Sequence, residues 1–370
     1  MGFIRALENA ESSMQRLGFL KYLTWRCSLR NASSLEILGK DLVNNGIKLQ
    51  HVYLSSEILP SRTGKLIYRD WRGYPYLISS LNLGRKGTYS LLVRGKVFLE
   101  LLSQSELKAF SEPIPEVNPL ILTDEQKSFL LYCFIENDGD ILKNLYAQIL
   151  KQNRVFTERE AGDLLPDIYR TLVKFYRSKI RSGIDVKRLD RLAKSADNIE
   201  IRKGRAYTGR THAIIPRLEP FVDLGLLKKQ NPYKYEYYFS EQGKEFFTLF
   251  CSSEDEDVDK FLNNSFFLAL NKSFKRKGNS AQKDKITEII LSVFNRIKSP
   301  LGYAPIKEIA LFGAIKSLVD DKRYFEISQA TKFIMEYQKS HPYAARFQVD
   351  RSGAPVYVKF INKNRNRRYE

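Results

Sequence analysis

Apolar residues recur at helical spacing along much of the chain. Ile286, Ile289, Ile290, Val293 and Ile297 mark one face of Lys283–Lys298, and Ala330, Phe333, Ile334 and Tyr337 mark one face of Ile327–Lys339. Pro305–Val319 supplies another helix between them. Ala345–Asp350 and Pro355–Ile361 are separated by Arg351-Ser352-Gly353 and read as a strand–turn–strand hairpin. Upstream, helices are expected over Lys127–Ile135, Ile141–Gln152, Glu158–Ser182 and Val186–Ala196. Breaks fall at the proline-bearing Ser111–Asn118, the acidic Ser252–Asp259 and the basic, polar Ser273–Lys283.

The chain also echoes itself. Gly95-Lys96-Val97-Phe98-Leu99-Glu100-Leu101 matches Gly243-Lys244-Glu245-Phe246-Phe247-Thr248-Leu249 as G-K-x-F-apolar-x-L. A strand-like run precedes each copy, Tyr89–Val93 in the first and Tyr235–Phe239 in the second. Further upstream, Tyr76–Gly84 and Ile214–Gly225 are apolar-periodic and end in Leu-Gly, a helix stop. The resulting order is helix, hairpin strand, then a helix opening at Gly-Lys.

In the second copy, Pro216-Arg217-Leu218-Glu219-Pro220-Phe221-Val222-Asp223-Leu224-Gly225-Leu226-Leu227, followed by Ser240-Glu241-Gln242-Gly243-Lys244, resembles the recognition helix, wing and exit of the winged-helix superfamily. It also resembles the recognition modules of type IIS restriction endonucleases. Pro220 departs from the pattern and is expected to kink the helix or remove its first turn. The resemblance implies a mainly α fold with small β-hairpin wings (α+β), as tandem winged-helix domains joined by a helical middle region. The expected domains are 1–110, winged-helix-like; 119–251, helices plus a second winged helix with wing and exit helix over 226–251; 252–282, a charged linker; 283–362, a C-terminal winged-helix-like domain; and 363–370, a basic tail.

Composition narrows the function. With 43% hydrophobic and 12% aromatic residues, the 370-residue chain can build real cores, which excludes whole-chain disorder. Lys and Arg number 61 against 42 Asp and Glu, a net charge of +19, and each third of the chain is positive. That balance asks for a polyanionic partner. Cys27, Cys133 and Cys251 are too far apart for a readable disulfide framework or metal motif, and no apolar run reaches membrane-spanning length. A reduced, cytoplasmic, nucleoid-associated protein is expected. No catalytic motif is readable: His51, His212 and His341 are scattered, and phosphate-cradling loops and nucleophile elbows are missing. No cofactor and no metal are expected.

The candidate nucleic-acid contacts follow the winged-helix order. Arg69 and Arg72 precede the first helix, and Arg202, Lys203, Arg205, Arg210 and Thr211 precede the second, where Arg217 also lies. Arg85 and Lys86, then Lys228, Lys229 and Lys234, then Arg346 and Arg351 hold the wings, and Lys332 lies on the third helix. Arg170, Lys174, Arg177 and Arg181 share one helical face, and Lys275, Arg276 and Lys277 lie in the basic linker. The expected function is non-enzymatic binding of double-stranded DNA, as the recognition subunit of a prokaryotic antiviral-defence or mobile-element complex whose enzyme is another chain. Two alternatives remain: an adaptor docking proteins or RNA through its winged helices, and a nuclease whose metal site forms only in the fold.

Overall fold

The computed structural model describes residues 5–7, 16–29, 34, 37–41, 44, 73–112, 117–152, 154–179, 183–201, 213–231, 234–252, 257–276 and 278–361. The chain divides into two units, Met1–Val258 and Asp259–Glu370, both mainly helical with small sheets. Among the described residues no helix is long and apolar enough to cross a membrane.

Unit 1 begins with α1 (Gly18–Ser28), α2 (Gly73–Ser80), α3 (Val93–Glu100) and α4 (Gln104–Ala109). A 29-residue helix follows, α5 (Asp124–Gln152), where two helices were expected. The Asn137-Asp138-Gly139-Asp140 stretch stays helical because its carboxylates are occupied elsewhere. Asp140 accepts from the backbone N–H of Arg5 at 2.7 Å, and Asp138 from that of Leu7 at 2.8 Å. Gly139 gives room to Val258, whose Cγ1 would lie 2.5 Å from a Cβ there.

Next come β1 (Phe156–Thr157), α6 (Glu158–Asp163), α7 (Leu165–Arg177) and α8 (Gly183–Ile201). The single helix expected over 158–182 is broken before Pro166, which stands in the first turn of α7 and has no N–H to extend the preceding ladder. After a 3-10 turn at Ile215–Arg217, α9 (Glu219–Asp223) leads into β2 (Leu227–Lys229), β3 (Glu236–Phe239) and α10 (Glu241–Ser252). The sheet order is β1-β3-β2, all antiparallel, with Phe156 opposite Tyr237 and Leu227 opposite Phe239.

The sequence echo is also an echo of hydrogen bonds. Leu83 N–H donates to Ile78 and Leu226 N–H to Phe221, both at 2.9 Å. Leu92 N–H returns to Leu83 at 3.0 Å, and Ser240 N–H to Leu226 at 3.1 Å. The lone bridge Gly84–Leu91 answers the pair Leu227–Phe239. In this register the left-handed Gly225 (φ 76) corresponds to Asn82 (φ 58), so Leu81-Asn82, not Leu83-Gly84, is the counterpart of Leu224-Gly225. Asparagine is one of the few side chains that tolerate that region. The strand expected at 89–93 contracts to the one bridge, because Val93 already starts α3. Both exit helices lie on α5: Phe98 of α3 stacks on Phe129 at 5.2 Å, and Phe247 of α10 on Tyr146 at 3.8 Å.

Unit 2 contains α11 (Val258–Asn264, whose first residue closes unit 1), α12 (Phe266–Ser273), β4 (Asn279–Ser280), α13 (Lys283–Ile297), β5 (Ala304–Pro305), α14 (Ile306–Val319), β6 (Arg323–Tyr324), α15 (Ile327–Ser340), β7 (Ala345–Val349) and β8 (Pro355–Phe360). The segment 252–282, expected as a charged linker, thus carries two helices, since Phe261, Leu262, Phe266, Phe267 and Leu270 give it an apolar face that is buried. The core joins Ile290, Phe312, Ile315, Ala330, Ile334 and Val358. One sheet runs β5-β8-β7, antiparallel; β4 and β6 form a separate parallel pair.

Candidate nucleic-acid interface

Two positions expected to touch nucleic acid are instead structural. Arg217 is 2% exposed; its Nε lies 2.7 Å from Asp138 Oδ2, its Nη2 lies 3.0 Å from Oδ1, and its Nη1 reaches the Ala213 carbonyl at 2.5 Å. Burial works against its charge, but Asp138 more than restores it, so the guanidinium stays protonated. Lys229 turns inward from β2 to Glu219 at 2.8 Å, with a side chain 1% exposed. Burial drives the Lys229 pKa down, and Glu219 only partly offsets this. Glu219 in turn holds Arg16 and accepts from Tyr237 Oη at 2.6 Å. Burial pushes its carboxyl up, but Arg16 and Lys229 outweigh that and hold it below the usual range.

The cause is the segment itself. Ile214, Ile215, Leu218, Phe221 and Leu224 flank Arg217 and Glu219 along the chain, and all are buried in unit 1. The short helix before this hairpin therefore has no polar face to offer a groove.

The remaining described positions of unit 1 are exposed. Arg85 and Lys86 project from the turn after α2, while Lys228 and Lys234 project from the β2–β3 hairpin. Arg170, Lys174 and Arg177 line α7 as expected, but α8 brings acids to them: Arg170 lies 3.6 Å from Asp197 and Arg177 lies 3.7 Å from Asp190. The face is thus partly neutralised within the protein. Such exposed pairs contribute little to stability, about 0–1 kcal/mol, and leave the cations accessible to phosphate. Arg69, Arg72, Arg181, Arg202, Lys203, Arg205, Arg210, Thr211, Lys277 and the tail 363–370 lie outside the described residues.

The described candidate cations of unit 2 lie on α15, on the β7–β8 hairpin and in the turn after α12. α15 begins at a capping box between Glu326 and Gln329, buries Ile327, Ala330, Phe333 and Ile334, and exposes Gln329, Lys332 and Lys339. Lys332 stands 3.9 Å from Glu336, which Lys283 also meets at 3.1 Å. The β7–β8 hairpin follows. Its register pairs Arg346 with Lys359 and Gln348 with Tyr357, so period-two alternation puts these four on one face. Ala345, Phe347, Val358 and Phe360 take the other, toward the core.

Arg351 is exposed at the hairpin tip, where Asp350 accepts from Ser352 N–H at 2.8 Å and Ala354 N–H at 3.1 Å, and Gly353 takes φ 82. These hydrogen bonds, first among them that from the Ser352 hydroxyl, hold the Asp350 carboxyl below its ordinary pKa. Lys359 donates to the Leu301 carbonyl at 3.1 Å and lies over Tyr303. Gln348, Tyr357 and Lys359 thus share a face with Arg346, a placement that the alternation along 345–361 carries in the sequence.

Lys275 and Arg276 sit in the turn between α12 and β4. Among the described residues no group of three or more His, Cys, Asp or Glu side chains is placed to hold a metal. His341 is exposed at the end of α15, stacked on Tyr337 at 4.7 Å; His51 and His212 lie outside the described residues.

Comparison of the chain with family models, curated proteins and solved structures finds no match.

Proposed function

We propose that this chain is a non-enzymatic double-stranded DNA-binding protein that grips the duplex chiefly through unit 2. α15 enters the major groove and the β7–β8 hairpin lies against the adjoining backbone, as in a winged helix. The order supports this reading: a first helix, a short strand, a second helix, a third helix and a hairpin, with the short strand paired to the hairpin's second strand. Unit 2 has this as β5-β8-β7, with β6 lying between its second and third helices, and unit 1 repeats it as β1-β3-β2 around the inserted α7–α8 pair. The observation that carries the proposal is the exposed polar face of α15 beside the cation-bearing hairpin, Lys332 with Arg346 and Arg351.

Charge supports the same choice. Residues 259–370 hold 22 Lys and Arg against 10 Asp and Glu, so +12 of the total +19 falls in unit 2. Unit 1, whose corresponding short helix is buried, contributes phosphate contacts from α7 and the turns at Arg85-Lys86 and Lys228. In this reading the protein is the recognition subunit of a defence or mobile-element complex, with enzymatic activity on another chain.

Fluorescence anisotropy against a labelled duplex of about 40 base pairs, its single strand and an RNA duplex, from roughly 50 to 200 mM salt, tests the proposal. Preference for duplex DNA, with affinity falling about 10³-fold or more over that range, is the expected result; equal, weak binding to all three overturns it.

An adaptor role is the second reading. Leu301, Tyr343 and Val349 are 77%, 87% and 60% exposed in unit 2, and exposed apolar groups suit a protein partner. Salt-insensitive capture of a protein, with no DNA binding, favours it.

A further inference from the structure

The parallel pair β4–β6 brings two separate turns of unit 2 together. Asn279 lies opposite Arg323 and Ser280 opposite Tyr324, and Ala281 N–H continues the ladder to Tyr324 at 2.9 Å. Because the strands run the same way, the residues preceding each lie at one end. That end carries Lys275 and Arg276 from one segment and Lys322 and Arg323 from the other, with Lys272 one turn behind on α12. Lys272, Lys275, Lys322 and Arg323 are exposed, and Arg276 is half-buried with its guanidinium 5.7 Å from the Phe274 ring.

The arrangement is built rather than incidental. Asn271 clamps Gly278 through both side-chain atoms, accepting from its N–H and donating to its carbonyl, each at 3.1 Å. A Cβ on Gly278 would lie 2.8 Å from the Lys322 carbonyl oxygen, so the two backbones touch there. The acids just before Lys322 are engaged, Asp320 with Lys316 at 3.4 Å and Asp321 with Lys285 at 3.7 Å. Lys275 and Lys322 are also left-handed, with φ 48 and 52, a region glycine would occupy without steric cost. Lysine at both positions sacrifices conformational ease for charge.

We infer that the cations gathered by the β4–β6 pair, Lys272, Lys275, Arg276, Lys322 and Arg323, form a second phosphate-contact site for the DNA backbone flanking α15. Arg323 stands four residues before the start of α15, so a duplex seated on that helix meets these cations at its N-terminal side. The inference rests on the duplex-binding reading above and adds a contact made by neither the groove helix nor the hairpin.

The test uses the full chain and the same 40-base-pair duplex. The variant K275G/K322G replaces strained lysines with the residue best suited to their φ. Its melting temperature should hold or rise, its Kd at about 100 mM salt should rise at least about fivefold, and its salt slope should shrink by about two, one per lost phosphate contact. R276Q/R323Q gives the same binding readout should the first variant fold poorly, and K332Q/R346Q/R351Q reports on the helix and hairpin. If the wild type binds duplex and the third variant weakens it, while the first two stay within twofold, the second site is overturned and the duplex-binding reading stands. If the wild type shows no salt-dependent duplex binding, both fall together.

Discussion

A Cβ placed on Gly243 would lie 1.7 Å from the Leu226 carbonyl oxygen, and one on Gly95 would lie 2.1 Å from that of Leu83. Both glycines let an exit helix press on the backbone of the turn before it, and the clashing atoms are main chain, which cannot swing away. Gly243→Ala and Gly95→Ala should each destabilise unit 1 by about 1–3 kcal/mol, the usual cost of overpacking, read as a lower urea midpoint. Gly225 differs: nothing lies within 4 Å of its missing Cβ, and only its φ of 76 restrains it. Gly225→Ala should therefore cost about 1–2 kcal/mol, and Gly225→Asn less, because Asn82 holds the equivalent place. Equal losses at Gly225→Asn and Gly225→Ala would refute the register drawn between the two copies. The repeated Gly-Lys-x-Phe phrase was legible because close backbone contact admits only glycine. The shift of the Leu-Gly correspondence was not legible, because asparagine can substitute for glycine at a left-handed position.

Among elements, the long helix α5 organises unit 1 through carboxylates on its middle turns. Asp138 pairs with Arg217 and accepts from Leu7, and Asp140 accepts from Arg5, so the N-terminal segment and the 3-10 turn are both tied to one stretch of helix. Sequence spacing reads Asp-Gly-Asp as a break, because its remedy arrives from 79 residues downstream and 131 upstream. For the same reason Arg217 reads as a surface cation. Arg217→Met strands the buried Asp138 carboxylate and should cost about 3–5 kcal/mol in urea unfolding, with a large part regained in Arg217→Met/Asp138→Leu. Duplex affinity of the folded variant should stay within twofold of wild type. A stable Arg217→Met variant that no longer binds DNA would return Arg217 to the interface. By contrast, the elements of unit 2 from Lys283 to Phe360 fall close to their expected bounds, because their apolar periodicity is satisfied by neighbours near in sequence.

For the whole molecule, one carboxyl links the stability of unit 2 to pH. Glu326 is 6% exposed, caps α15 and accepts from the N–H groups of Leu268 and Phe267, at 2.7 and 3.1 Å, in the first turn of α12. Burial pushes its pKa up to about 7, and the two backbone donors only partly oppose this. In the unfolded chain the group returns to an ordinary value near 4.5. Between those two values the folded protein holds a proton that the unfolded chain has released, so this group's contribution to stability is greatest at and below about pH 4.5 and falls as pH rises toward 7. Glu326→Gln cannot titrate and removes that slope. Urea unfolding of the full chain at about pH 4.5 and 7.5 should therefore show wild type losing stability relative to Glu326→Gln, by an amount on the order of 3 kcal/mol. All other titrating groups are common to both proteins and cancel in the comparison. Parallel pH dependences would mean that the two helix N-termini keep Glu326 ionised throughout, and that the α12–α15 junction is held by a charged cap rather than a neutral one.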